Sequence, residues 1–265
     1  MFNLTPTVRN LLLVNLAVFL AQENLRSLPI TQLGSLYPLG SPFFHVWQFF
    51  TYMFLHGSWW HLLGNMFGLM SLGPLLEQRW GGQRFLTFWL VCGVGAGLFY
   101  EGVRAYELTQ LENAYQEVLA SPDATSYDTF MQRVGLKREV YNAEATALQR
   151  NPNNQPLRQA VLDNVRQLHE AIFNSPLGGM LGASGAVFGI IFAFGYLFPN
   201  TELMLLFPPI PMKAKYFAFL YALFELYSGV HRVPGDNVAH FAHIGGLLVG
   251  FIILKFWESG RARFY

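Results

Sequence analysis

Ser184 lies in the tetrapeptide Gly182-Ala183-Ser184-Gly185, within a stretch that has no Asp, Glu, Lys or Arg between Glu170 and Glu202. A hydroxyl flanked by small residues therefore falls in sequence apolar enough to lie in lipid, where polar side chains are costly and face a bundle interior or a wet cavity. A second uncharged stretch, from Asp236 to Lys255, carries His240 and His243. A serine hydroxyl is a weak nucleophile until a base takes its proton, so a serine and an imidazole at membrane depth point to acyl transfer. His61 and Asn65 are four residues apart and share a helix face. Both can donate hydrogen bonds, which a tetrahedral oxyanion needs.

These groups need elements to carry them. With 52% hydrophobic and only 12% charged residues, the chain is more apolar than a soluble domain and reads as an integral membrane protein. Apolar segments able to cross a core of about 30 Å fall near residues 7–25, 59–78, 84–102, 177–198, 214–230 and 238–257. They predict an all-α membrane protein with six spans. The first span lacks a small-residue cleavage site after it and reads as a retained anchor. The single Cys92 excludes an internal disulfide and fits a small buried hydrophobe. A net charge of +1 without a basic stripe argues against a nucleic-acid partner.

Arg9, Arg79, Arg84, Lys213, Lys215, Lys255, Arg261 and Arg263 gather on one side of this arrangement, with Arg26 and Arg232 on the other. Positive residues stay inside, so both termini are expected in the cytoplasm and the protein in the cell (inner) membrane. Residues 103–176 change character, being polar and interrupted by Pro122, Pro152, Pro156 and Pro176. They are expected to form an extracytoplasmic helical insertion, separating spans one to three (1–102) from spans four to six (177–265). Leu108, Leu111, Tyr115 and Val118 recur at helical spacing, as do Leu157, Val161, Val165 and Leu168, and Asn154 before Pro156 resembles a helix start.

With the termini inside, spans two, four and six all enter from the outer face. Counted from those starts, Ser184 should lie about 10 Å down span four and His243 about 8 Å down span six, with His61 and Asn65 in the first two turns of span two. A hydrated cavity opening outward is implied. Gly178, Gly182, Gly185 and Gly189, with Gly246 and Gly250, would let spans four and six approach closely. His240 shares a helix side with His243 and competes with it as the base. His56 is shallow and reads as structural. Glu225, in the middle of span five, needs a partner, water or a proton to be tolerated there.

His61-x-x-x-Asn65, Gly182-x-Ser184-Gly185 and Ala242-His243-Ile244-Gly245-Gly246, in this order, resemble the motifs of the rhomboid family of intramembrane serine proteases. The resemblance implies a Ser-His dyad: Ser184 attacks a scissile carbonyl, and His243 rather than His240 accepts its proton. His61, Asn65 and the Ser184 amide would form the oxyanion hole. No third, acidic member, no metal and no cofactor are implied. An aromatic ring four residues after the serine is expected to stack on the histidine; here it is Phe188, where the family more often has tyrosine. The loop before span two has Trp47-Gln48-Phe49-Phe50 in place of the Trp-Arg of some members. Its rings are expected to anchor in the outer leaflet, and the loss of arginine to touch stability rather than chemistry.

The implied partners are transmembrane protein substrates and the bilayer; oligomeric state is not readable. Two other readings compete: a non-catalytic rhomboid-like protein that binds membrane clients, and a metal or proton carrier using His61, His240 and His243.

Overall fold

The computed structural model describes residues 4–175, 178–205, 209–231 and 238–259. Arg232, Arg261 and Arg263, used above for orientation, lie outside the described residues. The chain is mostly helical. It runs α1 (Pro6–Asn24), α2 (Ile30–Gly34), α3 (Gln48–Thr51), α4 (Trp59–Trp80), α5 (Gly82–Ala120), α6 (Ala124–Val134), α7 (Arg138–Arg150), α8 (Gln155–Phe173), α9 (Ser184–Leu197), β1 (Glu202–Met204), β2 (Pro211–Lys213), α10 (Ala214–Val230) and α11 (His240–Trp257).

The all-α expectation needs one correction. β1 and β2 form an antiparallel pair with Glu202 opposite Lys213. Pro209 and Pro211 deny the segment the N–H groups a helix would use.

Helices occur at all six expected positions, but among the described residues only α5 and α11 are long and apolar enough to cross a membrane by length and composition. α9 is apolar but shorter. α5 departs most from expectation, running 39 residues rather than stopping near 102. Gly102 alone does not break it, and a stop comes only at Ser121-Pro122. At 1.5 Å per residue it is about 58 Å long, nearly twice a hydrocarbon core.

Its far end belongs to a second core. Val118, Tyr127, Phe130, Ala145 and Val165 are fully buried there, drawn from α5, α6, α7 and α8. The first core, from α1, α4, α5, α9 and α11, centres on Leu69, Phe85, Phe88, Trp89 and Ile190.

Two polar knots bring the start of α1 and the end of α11 to one side of the bundle. Glu77, near the end of α4, accepts hydrogen bonds from the Thr5 hydroxyl and the Thr7 and Val8 amides, so it caps the start of α1. Arg79 and Trp80 hold Glu258, just past α11. A carboxylate satisfied by three donors is stable where a bare one is not.

Candidate active site

Ser184 is not 10 Å down a helix; it is the first residue of α9. Gly182 has φ 133°, a conformation closed to helices, so residues 178–183 lie ahead of the helix, Gly178 and Gly182 among them. This approach is pinned. Leu36 and Met180 exchange two backbone hydrogen bonds of 2.8 Å, and the Gly182 N–H donates to Tyr52 O at 2.9 Å. The Tyr52 hydroxyl is itself fixed on Gly93 O at 2.7 Å. As the first helical residue, Ser184 has an N–H outside the i→i−4 ladder, at the positive end of the helix dipole.

His243 is the fourth residue of α11, nearer its start than counted from the sequence. Backbone contact brings it to Ser184. A Cβ on Gly246 would overlap the Gly185 carbonyl oxygen, and one on Gly250 would sit 3.2 Å from Gly189 Cα. With no side chains between them, α9 and α11 hold Ser184 Oγ 2.8 Å from His243 Nε2. The Phe188 ring, one turn past Ser184, stacks on His243 at 4.2 Å and 7°.

A carboxylate, which the dyad expectation did not include, lies against His243. Glu225 of α10, 3% exposed, has Oε2 2.8 Å from His243 Nδ1 and 2.6 Å from His240 Nδ1. The same contacts answer what stabilises a carboxylate in an apolar helix, and they give His240 a different partner from the serine. These three side chains are the one set among the described residues that could hold a metal ion, with ligand atoms within 4.8 Å of one another.

His61 and Asn65 face the same cavity, of about 1820 Å³, which Ser184, Phe188, Glu225, His240 and His243 also line. The Gly57 N–H lies 3.5 Å from His61 Nδ1, and the Cε1–Nε2 edge of the ring faces Gly182. Asn65 is 6% exposed, and its Nδ2 is a buried donor with no acceptor among the described residues. Such a donor is an anomaly until an oxygen sits against it.

The loop before α4 differs from expectation. Trp47 and Phe50 are about half exposed, but Phe49 packs inward onto the first core. Gln48 is fully buried: it accepts from the Tyr37 and His45 amides and donates to Leu33 O and Phe43 O. An amide with both donors and acceptors used holds the loop without arginine.

A family model described as Rhomboid domain matches residues 44–109 and 164–257, more than half of the chain, leaving out α1, α2, the end of α5, α6, α7 and the first half of α8. The chain is similar to Rhomboid protein 1, mitochondrial, of Saccharomyces cerevisiae, 36% identical over 33% of this chain and 26% of the relative. It is similar to an uncharacterized mitochondrial rhomboid protein of Schizosaccharomyces pombe, 27% identical over 80% of this chain and 52% of the relative. It also resembles Rhomboid-like protein 11, chloroplastic, of Arabidopsis thaliana, 35% identical over 33% of this chain and 30% of the relative. The chain thus spans from about a quarter to about half the length of these relatives.

Proposed function

Because this chain belongs to the rhomboid family, we propose that it is an intramembrane serine endopeptidase that cuts membrane proteins in or beside their transmembrane segments. The observation that carries the reading is the 2.8 Å contact between Ser184 Oγ and His243 Nε2 at the wall of a cavity. Ser184 Oγ attacks the carbonyl carbon while its proton passes to His243 Nε2. The oxyanion is held by His61, Asn65 and the Ser184 amide. On collapse the C–N bond breaks, and the leaving amine takes the proton from His243. Water admitted by the cavity then hydrolyses the acyl-enzyme by the same steps.

The bilayer is the implied medium. α1, α4, α5, α9, α10 and α11 are the six spans of this reading, and the insertion between the third and fourth stands outside the membrane. α10 supports it: Phe219, Leu220, Leu223 and Phe224 are all half or more exposed, as lipid-facing side chains are. The Lys and Arg bias supports both termini on the cytoplasmic side of a cell membrane, or on the equivalent inner side of an organelle membrane of the kind named for the relatives.

The test is cleavage of a tagged transmembrane reporter in proteoliposomes, with fluorophosphonate labelling alongside. Ser184→Ala is expected to lower turnover at least about 10³-fold and to abolish labelling. Undiminished cleavage by that variant removes the assignment, and a wild-type protein that binds the reporter but is never labelled favours a client-binding role.

A further inference from the structure

We propose that Glu225 is the positioning residue of this site, holding His243 in the tautomer that can accept the Ser184 proton; this rests on the serine peptidase reading above. A carboxylate 3% exposed on an apolar helix is tolerated only when its charge is answered by donors. Two face it here, His240 Nδ1 at 2.6 Å and His243 Nδ1 at 2.8 Å, both on Oε2. An ionised carboxylate accepts from both if each ring carries its proton on Nδ1. For His243 that leaves a lone pair on Nε2, the nitrogen 2.8 Å from Ser184 Oγ.

Phe188 cannot make this choice. Its ring lies 7° from parallel with the imidazole and fixes the ring plane. A half-turn of the imidazole about its Cβ–Cγ bond keeps that stacking, yet exchanges the edge facing the serine. The carboxylate breaks the tie, because a half-turn would leave it only a C–H, and the opposite tautomer would set a lone pair against it. In the acylation step the Ser184 Oγ–C bond forms, the hydroxyl proton moves to Nε2, and the Nδ1 proton stays on the ring. Glu225 remains ionised and balances the imidazolium. His240, three residues before His243, holds the same oxygen from the other side.

Contacts of 2.6 and 2.8 Å are hydrogen-bond lengths, whereas two ligands at zinc distances around a tetrahedral ion stand about 3.3 Å apart.

The test uses the full chain in proteoliposomes with Glu225→Gln and Glu225→Asp. Glu225→Gln is expected to lower reporter kcat at least tenfold and at most about 10⁴-fold, the loss a wrong tautomer causes in a soluble triad. KM should stay within about twofold, and Glu225→Asp should recover part of the rate. In ¹⁵N-histidine spectra of the wild type, His243, assigned by its loss in His243→Ala, should be protonated at Nδ1 and bare at Nε2. A folded Glu225→Gln protein with wild-type kcat overturns the proposal. So does a His243 protonated at Nε2, or stoichiometric metal bound by the purified protein. If Glu225→Gln does not fold, the wild-type nitrogen spectrum decides. A wild type that neither cleaves nor labels sinks the peptidase reading and this proposal with it, whereas the preceding results sink this proposal alone.

Discussion

Two requirements meet at Gly182. Its φ of 133° lies where L side chains are strained, and a Cβ there would stand 2.7 Å from both Cε1 and Nε2 of the His61 ring. The glycine therefore does two things: it turns the chain into α9 and leaves room for His61 beside the serine. Gly182→Ala adds about 1–3 kcal/mol of backbone strain and pushes the imidazole aside. Because a displacement near 1 Å can cost about 10²-fold in rate, reporter cleavage is expected to fall by that order while the protein still folds. Wild-type cleavage by this variant, measured with its thermal midpoint, would remove His61 from the oxyanion site. Ser184, His61 and Asn65 stand out by residue type and spacing, each polar in an apolar stretch, whereas the choice of His243 over His240 came from the rhomboid resemblance. Glu225 was visible as a cost without a partner. Its pairing was not, because the histidines lie on another helix, 15 and 18 positions away, and only the crossing of α10 and α11 decides which groups meet.

At the scale of elements, apolar runs gave most helix positions, while ends depended on backbone chemistry that runs do not carry. α9 starts seven residues later than its apolar run because the φ of Gly182 is not helical, and α5 continues because polar residues at helical spacing keep a helix going past its apolar run. The sites converge through helix starts: Ser184 opens α9, His243 lies in the first turn of α11, and His61 and Asn65 lie in the first two turns of α4. The insertion is built from ordinary caps. Asp123 accepts from the Thr125 and Ser126 amides, and the Ser126 hydroxyl accepts from the Asp123 amide. The Ser126 N–H bond, opposed by partial burial and helped by Ser121 and Thr125, holds the Asp123 carboxyl below its usual range. A depressed carboxyl stabilises above its unfolded pKa and loses that contribution as pH falls through the folded one. Acidification below about pH 4 is therefore expected to loosen the start of α6, seen as faster hydrogen exchange of its amides. Asp123→Asn keeps the cap and should remove the acid dependence, whereas Asp123→Ala should cost about 1 kcal/mol near neutral pH, a difference that shrinks as the wild type loses its charged cap in acid. Equal acid sensitivity in the Asn variant would put the titrating group elsewhere.

For the whole molecule, the consequence is a division of labour between two cores that share α5. The serine, the imidazoles and the carboxylate hang on elements of the first core, tied at its far side by Glu77 and Glu258. The second core packs Val118, Tyr127, Phe130 and Val165 against one another, outside the segments that frame the cavity. The composition change near residue 103 gives no sign that one continuous helix joins the second core to the first. Phe130 is fully buried, and Phe130→Ala is expected to cost the insertion about 3–5 kcal/mol through lost burial and the cavity left behind. If α5 acts only as a strut, limited proteolysis between α6 and α8 should accelerate while fluorophosphonate labelling of Ser184 keeps its rate within about twofold, as for distant uncoupled sites. Labelling that falls in step with proteolysis would mean instead that the insertion braces the site along α5. The backbone contact of Gly185 with Gly246 favours the first outcome: Ser184 and His243 are set by α9 against α11, and α5 supplies the wall behind them through Ala96 and Cys92 rather than through its distal half.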